Sequence, residues 1–139
     1  MATASTSDSI KVAVVGAHLT GQPLNHQLTS RAATLLATVC TAPIYKFYAL
    51  TGTTPPKPGL IRLVTDSGEG HKIEVEVWEM PLIHFGSFVA EIPPPLGIGT
   101  LVLESGETVK GFICEGYAIA EAEEISSYGG WRAYLTSLQ

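Results

Sequence analysis

A chain of 139 residues fits one domain with one core, and 45% hydrophobic against 15% charged residues leaves enough apolar material for a compact interior and argues against disorder. The net charge of -5 comes from 13 acidic and 8 basic side chains, the basic ones scattered, so nucleic acid is not an expected ligand. No apolar run approaches the roughly 20 residues that span a bilayer, and the N-terminus MATASTSDS has neither a basic nor an apolar leader region, so the expected setting is cytoplasmic, without a membrane partner.

Residues 1–9 are small and polar and read as a disordered tail, with one domain over 10–139. IKVAVV then suits a buried strand, and GAHLTGQP a loop. In LNHQLTSRAATLLATVC the residues Leu24, Leu28, Ala32, Leu35, Leu36 and Val39 recur at helical spacing and predict an amphipathic helix. APIYKFYAL reads as a strand, TGTTPPKPG as a stiff excursion and LIRLV as extended chain again. KIEVEVWEM alternates Ile73, Val75 and Val77 with Glu74, Glu76 and Trp78, which predicts a strand with its glutamates on an exposed face.

Pro81 suits a helix start, and Leu82, Phe85, Val89 and Ile92 carry the helix to the stop at Pro93-Pro94-Pro95. TLVLE and TVKGFICE flank Ser105-Gly106 as a hairpin, with Gly111 marking a bulge or close contact. Trp131, Tyr134, Leu135 and Leu138 form a last helical segment that docks on the core. Strands outnumber helices without regular alternation, so the fold class is α+β, a small mixed or antiparallel barrel with packed helices.

Cys40 and Cys114 are far apart and make no CxxC spacing; they read as small apolar residues, and neither a metal site nor a cofactor motif is visible. No GxSxG or Cys-His motif supports covalent catalysis. The loop from Gly16 to Gly21 lies between a strand and the expected helix, where backbone N–H groups and a helix dipole suit an anion. It is neither a dinucleotide fingerprint nor a phosphate loop, and such turns are common. His18 is the side chain best suited to proton transfer near neutral pH, although an imidazole that merely hydrogen-bonds a turn has the same appearance. His26, His71 and His84 read as surface residues, and Glu121, Glu123 and Glu124 as a solvated run. Glu91, just before the triple proline, is the acidic residue whose setting makes it a candidate.

The blocks VVGAHLTGQPLNHQL, FYALTGTTPPKPGLIRL, EVEVWEMP, IPPPLGIGTLVL, VKGFICE and ISSYGGWRAYL together resemble the C-terminal domain of allophanate hydrolase, covering nearly everything after residue 10. The resemblance implies the γ-glutamyl cyclotransferase-like fold, a small mixed β-barrel with flanking helices. It also implies decarboxylation of N-carboxycarbamate or a similar small N-carboxylate or dicarboxylate in urea and allophanate nitrogen metabolism, with His18 as general acid. Gly16, Ala17, Leu19 and Asn25 are the expected anion contacts from the loop, with Gly97, Ile98 and Gly99 approaching by their backbone and Tyr128 or Arg132 from the C-terminus. Two other readings stand beside this: a non-catalytic anion-binding or assembly module that partners an amidase, and a γ-glutamyl cyclotransferase with Glu91 as its acid/base. GAHL replaces the YGSL-like loop of the cyclotransferases, which weakens the last. The amidase signature, with its Ser-Ser-Lys triad, is missing from these residues. The chain therefore reads as a detached domain, as a stand-alone homologue that works with a separate amidase, or as a relative with a changed purpose. A homodimer is expected, with apolar surface between Tyr45 and Pro58 to cover.

Overall fold

The structure is a computed structural model that describes residues 8–64 and 68–139. Eight strands and three short α-helices follow one another as β1 (Ser9–Val14), α1 (His26–Thr29), β2 (Thr34–Cys40), β3 (Tyr45–Ala49), β4 (Pro58–Arg62), β5 (Glu74–Pro81), α2 (Leu82–Ala90), β6 (Leu96–Val102), β7 (Thr108–Cys114), β8 (Glu123–Glu124) and α3 (Trp131–Ser137). Two 3-10 turns, Gly116–Ile119 and Ser126–Tyr128, fill the chain near β8. The class is α+β as expected. The tail expected over residues 1–9 lies outside the described residues up to residue 7, while Ser9 already belongs to β1 and its hydroxyl donates to Glu79.

The main sheet has the order β2-β5-β1-β7-β6, and only the β1–β7 pair is parallel, so the sheet is mixed. Its two edges curl toward each other until Thr41 bridges Leu103, with Ala42 N–H on the Val102 carbonyl and Glu104 N–H on the Cys40 carbonyl, both at 2.9 Å. The contact is local, and the expected barrel stays open. A second sheet, β4-β3-β8, contributes Tyr45, Phe47 and Leu60 to the common core. β1 lies at the centre of the main sheet, and Val12, Ala13 and Val14 are fully buried, which explains why the segment is an unbroken apolar run and not an alternating one.

The helix expected from Leu24 to Cys40 is for the most part a strand. α1 covers only four residues, and Ala32 then takes a left-handed conformation (φ 61) that ends any helical path. From Thr34 the chain pairs with β5, with a register shift between Leu35 and Ala37. Leu35 and Leu36 are largely exposed, so their helical spacing marked no buried face. β-branched Thr34, Thr38 and Val39 suit the strand, and the open edge of β5 decides the outcome.

The other elements follow the sequence closely. α2 begins after Pro81, β6 and β7 form the hairpin, and a side chain on Gly111 would strike Leu101 and the Ala13 carbonyl, which confirms the close contact. α3 docks through Trp131 and Tyr134, whose rings lie 5.4 Å apart. The exposed face assigned to Glu74 and Glu76 is corrected at Glu76: its carboxylate is almost wholly buried, because α3 and the loop after β1 cover that side of β5. Tyr45 and Phe47 are core residues and supply no apolar surface for a dimer. No helix among the described residues is long and apolar enough to cross a membrane.

Candidate functional site

The loop that starts at Gly16 leaves the end of the buried strand β1 and folds as consecutive turns. Its hydrogen bonds use carbonyls: Leu19 N–H donates to Gly16 at 3.0 Å, Leu24 N–H to Ala17 at 2.8 Å and the Asn25 side-chain amide to His18 at 2.8 Å. Among the described residues, none of these turn bonds uses the N–H groups of Gly16, Ala17 or His18, and backbone donors grouped in this way suit an anion. The helix-dipole argument falls away, since α1 is a single turn that begins only at His26. Gly16 is required by a close approach: a Cβ there would overlap the ring of Pro58, so the proline-rich excursion before β4 lies directly on the loop.

His18 is 6% exposed and sits between Phe88 of α2 and Phe112 of β7, with ring centroids 5.4 and 4.7 Å away. Its Nε2 lies 2.7 Å from Gln27 Oε1. The Gln27 amide nitrogen in turn donates to Glu91 Oε1 at 3.3 Å, and Arg31 Nη2 donates to Glu91 Oε2 at 2.5 Å. An amide nitrogen committed to a carboxylate turns the amide oxygen to the imidazole, so His18 carries its proton on Nε2 and leaves Nδ1 as the free basic position. Burial pushes the His18 pKa below the ordinary 6.5. The Gln27 bond opposes this, while the charge of Lys57 adds to it. The neutral imidazole is therefore the resting form at neutral pH.

Behind the loop, Glu76 Oε1 accepts the backbone N–H of Thr20 at 2.9 Å, its hydroxyl at 3.0 Å and Trp78 Nε1 at 3.1 Å. Arg132 Nη2 bridges Glu76 Oε2 at 2.7 Å and the Thr20 carbonyl at 3.0 Å. Burial alone would raise the Glu76 pKa, but the bonds from Arg132, Thr20 and Trp78 together outweigh it and hold the carboxyl below its ordinary value. α3 thereby locks the far end of the loop.

Of the expected contacts, Gly16, Ala17 and His18 line one cavity together with Lys57, Leu96 and Phe112. Its volume is about 10 Å³, room for roughly one water. The Leu19 side chain points into the core, and Asn25 secures the loop through the His18 carbonyl. Gly97, Ile98 and Gly99 pair with Ile113, Phe112 and Gly111 in the hairpin, one step away from Leu96. Arg132 is committed to Glu76 and Thr20, and Tyr128 stacks edge-on against Tyr134. Sequence reasoning missed Lys57, Gln27 and Glu76. Two larger clefts, of about 420 and 440 Å³, open elsewhere on the main sheet; Leu36, Val39, Val77 and Leu103 wall the first, and the lysines at them are already engaged, Lys11 with Glu107 and Lys110 with Thr100. Among the described residues no group of three or more His, Cys, Asp or Glu side chains is placed to hold a metal ion.

The open mixed sheet with its flanking helices has a γ-glutamyl cyclotransferase-like fold. A solved γ-glutamyl cyclotransferase superposes with a TM-score of 0.52 over 84% of this chain and 69% of its own, at 13% identity, a likeness of fold alone. Residues 10–136 match the allophanate hydrolase C-terminal domain, and the chain belongs to that family. It is 50% identical over 136 residues to a urea amidolyase of Saccharomyces cerevisiae, covering 96% of this chain and 7% of that protein. A solved allophanate hydrolase of Kluyveromyces lactis shares 45% identity at a TM-score of 0.90, over 94% of this chain and 22% of its own. The chain thus spans a small part of the length of these relatives.

Proposed function

We propose that the domain catalyses decarboxylation of N-carboxycarbamate, or a similar small N-carboxylate, in urea and allophanate nitrogen metabolism, beside an amidase that supplies the substrate. The carrying observation is the chain Glu91–Gln27–His18, which orients one buried imidazole next to a loop with spare N–H donors. In the reaction the C–N bond to one carboxylate breaks, its electrons stay on nitrogen, carbon dioxide leaves, and nitrogen takes a proton to give carbamate. His18 would deliver that proton from Nδ1. The resting imidazole is neutral, so the proton must be taken up with the substrate: a dianion beside His18 raises its pKa and creates the acid where it is used.

The tightness of the cavity favours a second reading, a non-catalytic anion-binding or assembly module for an amidase. Glutamyl cyclisation has less support, since the Glu91 carboxylate stands behind Gln27 and pairs with Arg31, away from the loop. Adding the chain to an amidase-only allophanate hydrolase and following carbon dioxide and ammonia separates the first two. Accelerated release that His18→Ala abolishes supports catalysis; no acceleration by the wild type, or equal rates with His18→Ala, leaves the binding reading. A cytoplasmic homodimer is the assembly we propose, tested by sedimentation at micromolar concentration.

A further inference from the structure

Lys57 is the exception among the lysines. Lys11, Lys46 and Lys72 each pair with a glutamate, and Lys110 reaches Thr100 Oγ1, all with at least partly exposed side chains. Lys57 is only 7% exposed, and no hydrogen bond or ion pair reaches its ammonium among the described residues, so its stem is buried while the nitrogen itself keeps contact with solvent. A lysine that buries its stem against the wall of a cavity and keeps an unpaired ammonium at it is placed to meet an anion there.

Its position is fixed by the backbone. Lys57 N–H donates to Thr53 Oγ1 at 2.9 Å, and the Lys57 carbonyl accepts Leu50 N–H at 3.1 Å. The next residue, Pro58, fills the space that Gly16 leaves open. The stiff excursion TGTTPPKP thus acts as an arm that delivers one cation to the cavity shared by Gly16, Ala17, His18, Leu96 and Phe112. Glu91 is the acidic group near His18, and Arg31 and Gln27 already occupy it on the other side of the imidazole.

We infer that Lys57 is the anchor for one carboxylate of a small dianion in this cavity, so that the site selects dicarboxylates over monocarboxylates of the same shape. The inference rests on the reading of the GAHL loop and His18 as the anion site. With Lys57 on one carboxylate and the loop N–H groups or His18 on the other, both charges of an N-carboxycarbamate-sized ligand are met without an arginine fork. Leu96 or the Lys57 side chain must shift to admit it, since the cavity holds about one water.

Calorimetric titration of the whole chain with malonate and with malonamate, its singly charged analogue, tests this. Malonate should bind the wild type about tenfold or more tighter than malonamate, the worth of one charge-assisted contact. Lys57→Met should remove that preference while leaving malonamate affinity within about twofold, and Lys57→Arg should restore part of it. Thermal melts of each variant check folding, and the wild-type preference stands as a readout that needs no variant. If malonate binds the wild type and loses affinity in His18→Ala but not in Lys57→Met, the anion site stands and the role of Lys57 is overturned. If the wild type binds neither ligand, or does not distinguish them, both the anchor and the dianion site fall.

Discussion

Arg132 Nη2 donates at once to Glu76 Oε2 and to the Thr20 carbonyl, so one guanidinium joins the last helix, the middle of β5 and the far end of the loop that carries His18. Glu76 is nearly buried while Arg132 keeps about a third of its side chain in solvent, so the pair is partly screened. Glu76→Gln should lower stability by about 2 kcal/mol at pH 7, at the low end for breaking a buried, multiply bonded carboxylate. Because the folded-state pKa lies below the ordinary 4.5, the stabilisation is complete above that value and disappears as pH falls through the lowered one. Urea unfolding of both proteins at pH 7 and near pH 3 is the check, and a difference independent of pH would deny the ionised bonds their role.

His18 should titrate below 6.5 in the free protein and carry its proton on Nε2 above that pH, as nitrogen-detected NMR can read directly. A depressed histidine pKa also affects stability. Between its lowered value and 6.5 the unfolded chain binds more protons than the folded one, so the wild type loses stability as pH falls through that window. His18→Gln should lack this slope.

Most of the strands, α2, α3 and the close contact at Gly111 were legible because each depended on local signals: an apolar run, a proline at a helix start, a glycine inside a strand. β2 was not. Its leucines follow helical spacing, and only the unpaired edge of β5, a non-local fact, makes it a strand. The site divides in the same way. The donors of Gly16 and Ala17 and the imidazole of His18 belong to one loop, and sequence reached them. Lys57 joins from a turn about 40 residues later, through the contact of Pro58 with Gly16, and Glu76 looked like one more outward glutamate on an alternating strand. A lysine between two prolines, in a stiff excursion with no evident partner, was the signal available.

Gln27→Leu should free the imidazole from its fixed tautomer while leaving the fold intact, since Gln27 is only half-buried. Both nitrogens should then share the proton, and accelerated product release in the amidase-coupled assay should fall by about tenfold or more, the usual effect of losing a group that orients a functional side chain. Glu91→Gln should act in the same direction and more weakly. Unchanged tautomer and rate in Gln27→Leu would remove the orienting chain from the mechanism.

Gly16→Ala tests the contact between the two segments that build the cavity. The added methyl overlaps the Pro58 ring, so the excursion must move away, at a cost of about 1–3 kcal/mol for overpacking. Lys57 would move with it. Malonate affinity should therefore fall together with stability, whereas Gly86→Ala, where no neighbour lies within 4 Å, should leave malonate affinity unaltered.

Malonate binding should tighten as pH falls, and the physical reason sets where. The free imidazole has a pKa below 6.5, and a bound dianion raises it, so binding takes up a proton between the two values. Affinity should be lowest and flat above the bound-state pKa, rise through the interval and level off below the free-state pKa. The midpoint then lies lower than an unperturbed histidine would give if the ligand's effect is smaller than that of burial, and higher if it is larger. Either position measures how strongly the anion and His18 interact. His18→Gln corrects for the titration of malonate itself, since its amide can still bond Gln27 but takes up no proton. A wild-type curve that parallels this variant from about pH 5.5 to 8, the range around the reference histidine pKa, would show that His18 remains neutral with ligand bound, and the proposed proton donor would be lost.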